Sequence, residues 1–83
     1  MSSPHNQKPL QFSKGSRVRV SIAGGWKQSF TGTVTADPEA TNTLLGDTYI
    51  HWVEFDQPQE DINGPDLYRK AQILGYYLEP LGL

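Results

Sequence analysis

In KGSRVRVSI, residues Lys14 to Ile22, the aliphatics Val18, Val20 and Ile22 alternate with Arg17, Arg19 and Ser21. A period of two sends the aliphatics to one side of an extended chain and the arginines to the other, which predicts a half-buried strand. Gly15, just ahead of it, reads as a turn residue. Downstream, AGGWKQS (Ala23–Ser29) is a loop marked by paired glycines. FTGTVTA (Phe30–Ala36) predicts a second strand, with Phe30, Gly32 and Val34 on one face. A glycine inside a strand signals a bulge or a close backbone approach, so Gly32 is expected where the sheet bends.

TYIHWVEF (Thr48–Phe55) is the strongest strand signal, rich in β-branched and aromatic residues. Tyr49, His51, Val53 and Phe55 form the expected inward set. Ile50 and Trp52 are nearly as apolar, so the register stays open on sequence grounds. DPEATNTLLGD (37–47) and DQPQEDINGPD (56–66) read as long polar loops. Leu67–Ile73 predicts a fourth strand, GYY (75–77) a tight turn, and LEPL (78–81) a last strand held at an edge by Pro80. Leu67, Ala71, Leu74 and Leu78 also fit helical spacing. Gly75 at the centre and Pro65 and Pro80 at the ends favour strand, 3₁₀ turn, strand instead.

This succession of short strands predicts an all-β fold, a small five-stranded SH3-like barrel that closes its own edges, and a five-stranded OB-type barrel fits the same pattern. Residues 1–11 are polar, carry Pro4 and Pro9, and read as a flexible, disordered tail. Residues 12–83 then form the barrel, with Leu10 and Phe12 expected to anchor the tail's end.

The chain has 83 residues, enough for one domain. Without cysteine, neither a disulfide nor a thiolate metal site staples it. Three Phe, two Trp and four Tyr must therefore supply much of the core. The N-terminal stretch lacks the apolar run of a secretory signal, and no segment approaches the roughly 18 apolar residues of a membrane span. A cytoplasmic location is the expectation. The net charge of −2 and pI near 5.5 make nucleic acid an unlikely partner.

Catalytic signals are weak. His5 lies in the tail and His51 within a strand, too few ligands for a transition-metal site. No nucleophile elbow or phosphate-cradling glycine loop occurs. The expectation is a chain with no catalytic residue, no metal and no cofactor. Charge is more informative. Lys14, Arg17, Arg19 and Lys27 cluster early, while Glu54 to Asp66 holds five acids and no base. If each set occupies its own face, the domain is dipolar. Trp26 in the glycine loop is either a binding anchor or a cap on the barrel's open end. The expected partner-binding set is Lys14, Arg17, Arg19, Trp26 and Lys27, facing an acidic partner protein.

KGSRVRV, TGTV, WVEFD and YLEPL together resemble the strand pattern of the photosystem I subunit PsaE, over roughly Phe12 to Leu81. The closing YLEP is also similar to the end of the SH3-like domain of nitrile hydratase β subunits. These resemblances imply an SH3-like barrel of the electron-transport accessory type, which contacts a redox protein or stabilises a larger complex. Arg17 and Arg19 occupy the basic positions of the matched first strand. Gly15, Val18, Val20, Gly25, Gly32 and Val34 also resemble the skeleton of KOW-type modules, which touch RNA or polymerase. FSKGSRVRVSIAGGW and AQIL (71–74) resemble type II dihydrofolate reductases, which are oligomeric enzymes. Leu74 stands where that family's active-site strand has tyrosine.

Overall fold

A computed structural model of the chain describes residues 11–81. Met1–Leu10, and with them most of the expected tail and its Leu10 anchor, lie outside the described residues, as do Gly82 and Leu83.

Six strands form one curled antiparallel sheet, a half-barrel: β1 (Arg17–Val20), β2 (Phe30–Val34), β3 (Glu39–Thr43), β4 (Gly46–Glu60), β5 (Leu67–Leu74) and β6 (Leu78–Pro80). The order across the sheet is β3-β4-β2-β1-β6, with β5 on β4. The expected all-β, barrel-like architecture is thus present, with six strands where five were expected and as a half-barrel rather than a sheet that closes its own edges. Residues 67–79 are strand, 3₁₀ turn and strand, as their glycine and prolines require.

Two expectations are corrected. The segment 37–47 is not a loop: it contains β3, paired with β4 from Glu39↔Ile50 to Thr43↔Gly46. The segment 56–66 is a loop only in its second half, because β4 runs on to Glu60. The ladder to β5 shifts between Glu54 and Gln59, so the stretch holding Pro58 bulges out. A proline cannot donate to the ladder, and a bulge is where one is tolerated. The first strand is shorter than predicted. Ser21 leaves it to cap a 3₁₀ turn (Ile22–Gly24), accepting from the Ala23 N–H at 3.0 Å.

The core follows the period of two. Val18, Val20, Phe30, Val34, Val53, Phe55, Ile73 and Leu78 are buried on the concave side together with Trp26. In β4 the odd-numbered set is the inward one: His51, Val53 and Phe55 are buried, and Tyr49 is half-buried. Gly32 pairs with Phe55, and an added Cβ there would stand 2.6 Å from the Glu54 carbonyl oxygen. The close approach expected at Gly32 is therefore present.

His51 is fully buried and its ring is pinned at both nitrogens. The Phe12 N–H donates to Nε2 at 2.9 Å, so Nε2 is the acceptor. Nδ1 then carries the proton and faces the Ile73 carbonyl at 3.4 Å. The Phe12 ring lies edge-on to the imidazole at 5.4 Å, so Phe12 is the anchor the sequence suggested. Burial lowers the His51 pKa below 6.5, opposed by hydrogen bonds to backbone carbonyls. The unfolded chain consequently binds a proton more readily than the folded one. Stability should be intact above pH 6.5 and fall as pH drops from there through the lower folded value. Denaturation midpoints measured across that window should fall more steeply for the wild-type chain than for His51→Gln. Parallel pH profiles for the two would refute the assignment.

Candidate docking face

The basic residues singled out by sequence do not form a free patch. Arg17, on the convex side of β1, grips Asp56 through two hydrogen bonds of 2.7 and 2.6 Å. Thr31 also donates to Asp56, and Arg17 donates to Thr33. These hydrogen bonds pull the Asp56 carboxyl down to about 2 and raise Arg17. Arg19 stands beside Glu79 at 3.5 Å, its partner in the β1–β6 register. Lys27 bonds Glu60 at 2.8 Å. Lys14 sits in the turn before β1 and is in no ion pair among the described residues. The dipolar arrangement is therefore corrected: Asp56 and Glu60 of the acidic stretch are interleaved with the basic residues, because β4 pairs with β2, which pairs in turn with β1. Exposed pairs of this kind contribute little to stability but do neutralise one another's field.

Trp26 takes the capping role. It is 8% exposed, edge-on to Phe30 and Phe55 at 5.2 Å and to Tyr68 at 5.8 Å. It does not join an exposed surface.

The exposed tryptophan is Trp52, on a strand rather than in a loop, at 41%. The Thr35 N–H donates to the Trp52 carbonyl at 2.9 Å, so the Trp52 backbone points toward β2. His51 and Val53 then point theirs at β5. Ile50↔Leu74, Trp52↔Gln72 and Glu54↔Lys70 are thus the non-hydrogen-bonded pairs, whose side chains stand closest together. All six lie on the convex face. Lys70 leans over the Trp52 ring, its Nζ 5.9 Å from the ring centroid, and has no carboxylate within ion-pair distance among the described residues. A cation over an indole face holds that ring in place.

Further along β4, the Cβ direction of Gly46 meets the Tyr76 hydroxyl at 3.8 Å. Thr48, between Gly46 and Ile50 on the same face, is buried. Exposed Tyr76 therefore stands over the Gly46 end of this face. At the far side Glu39 sits level with Ile50. Sequence reasoning missed this face because Trp52 read as one of two equally apolar strand sets. The signal that could have found it is Lys70 at a cross-strand position to that set.

Among the described residues no group of three or more His, Asp or Glu side chains is placed to hold a metal ion, and no helix is long and apolar enough to cross a membrane. No protein-family model matches the chain, and no curated protein or solved structure matches it significantly.

Proposed function

We propose that this chain is a non-catalytic docking module that binds an acidic partner protein through the convex face of β4 and β5. Trp52 is the anchor, Ile50 and Leu74 extend its apolar contact, and Lys70 meets a carboxylate of the partner. The supporting observation is the exposed Trp52 under an unpaired Lys70. Tryptophan on a rigid sheet face offers large contact area at low entropic cost, and such residues dominate binding energetics. A redox protein is the partner class implied by the resemblance to accessory barrels. Arg17 and Lys27, already tied to Asp56 and Glu60, contribute little.

Crosslinking and pulldown with the native cell extract tests this. Trp52→Ala and Lys70→Glu should each remove the captured partner, raised salt should weaken capture, and Arg17→Glu should retain it. Capture that survives both face substitutions would count against the reading. A gel shift with RNA at moderate salt would favour the KOW-like resemblance instead.

A further inference from the structure

On the docking face Glu39 and Lys70 stand on opposite sides of Trp52, and Glu54 stands beside Lys70. Glu39 projects from β3, level with Ile50. Lys70 projects from β5, level with Glu54. Strand β4 runs between them, so Trp52 lies between the two both along the strand and across the sheet. Neither Glu39 nor Lys70 is in an ion pair among the described residues, whereas Arg17, Arg19 and Lys27 all are.

Two points on opposite sides of a centre exchange places under a two-fold axis lying in the contact plane, at right angles to the line joining them. From this we infer that the face is self-complementary and that its occupant is a second copy of this chain. Trp52 meets its counterpart at the centre. Glu39 of each copy faces Lys70 of the other, so the contact is made twice. The interface is isologous and closed, as a two-fold dimer requires, and does not propagate into fibres. The strands of the two copies cross steeply, one of the ways sheets pack face to face. Trp52 is only 41% exposed and Ile50 and Leu74 are half-buried, so the apolar contact is modest beside the roughly 800 Å² per partner of a standard interface, and the dimer is weak and reversible.

Charge also argues for this occupant. A second copy answers Glu39 and Lys70 together. The inference rests on the reading of this face as a docking face and names its first partner.

Sedimentation velocity of the full chain over a concentration series tests it. The wild-type chain should move from monomer to dimer as concentration rises. Trp52→Ala should remain monomeric. Glu39→Lys sets lysine against lysine, and Lys70→Glu sets glutamate against glutamate, so each should weaken dimerisation at least about tenfold. The double exchange Glu39→Lys/Lys70→Glu restores opposite signs and should recover the dimer. An equimolar mixture of the two single variants should form a mixed dimer. All three positions are exposed, and circular dichroism should show that each variant keeps its strands. A wild-type chain that stays monomeric up to its solubility limit overturns the inference, as does a double exchange that fails to recover association. If the chain is monomeric but Trp52→Ala still loses the captured partner protein, this inference falls and the docking reading stands. If neither responds, both fall.

Discussion

Gly32→Ala should cost about 3 kcal/mol or more, at or above the upper end of ordinary overpacking. The added Cβ would stand 2.6 Å from the Glu54 carbonyl oxygen and 2.8 Å from Val53 Cγ1. A side chain can rotate away, but a carbonyl in the centre of a ladder cannot. Gly32 pairs with Val18 on one side and Phe55 on the other, so β2 cannot shift without opening both pairings. A chain this small has stability near the low end of about 5–15 kcal/mol, so the variant should lose most of its folded population. Urea denaturation followed by circular dichroism measures the cost. The second variant Gly32→Ala/Val53→Ala separates the two clashes. It relieves the methyl contact and leaves the carbonyl, so it should not regain stability. A single variant within about 1 kcal/mol of wild type would show that β2 and β4 can move apart, and the close approach would lose its structural role.

How far the sequence discloses this molecule depends on where the information lies. Phe30, Gly32 and Val34 are legible because apolar alternation and an intrastrand glycine are local signals. The inward parity of β4 is not, because Ile50 and Trp52 match His51 and Val53 in apolarity. The β2 register settles it by setting Gly32 and Val34 against Phe55 and Val53. Strand β3 escapes notice for a different reason. EATNT has no buried aliphatic, and its exposed and half-buried positions are held by the backbone ladder to β4 rather than by a hydrophobic face. Only the β-branched Thr41 and Thr43 hint at it. Pro58 and its polar neighbours conceal the extension of β4, since a bulge admits a proline that a regular strand would reject. The charge pairs are the least legible feature. Arg17 and Asp56 lie far apart in the chain and meet only because β2 sits between β1 and β4. Arg17, Arg19 and Lys27 of the cluster that looked free are therefore spent within the molecule, and the unpaired cation of the docking face comes from β5.

Trp26→Ala should destabilise the fold by about 3–5 kcal/mol, the usual cost of truncating a buried aromatic. Trp26 fills the end of the half-barrel where β2, the bulged part of β4 and the start of β5 converge, and it makes edge-on contacts with Phe30, Phe55 and Tyr68. Its backbone bridges Asp61, and Gly25 next to it accepts from the Ile62 N–H at 2.7 Å. Losing the indole therefore leaves a cavity and loosens the tie between the glycine loop and the end of β4. Trp26→Phe should behave differently. Among the described residues the indole N–H is buried without a hydrogen-bond partner, a group that costs about 1–3 kcal/mol to desolvate. Replacing it by a smaller ring removes that penalty along with some packing, so the phenylalanine variant should retain at least half of what alanine loses. Paired urea melts of the two variants decide the matter. Equal losses would mean that the N–H has a partner in solution. A negligible loss for alanine would mean that Trp26 does not seal the core, and a loop anchor exposed to a partner would then be the better description of it.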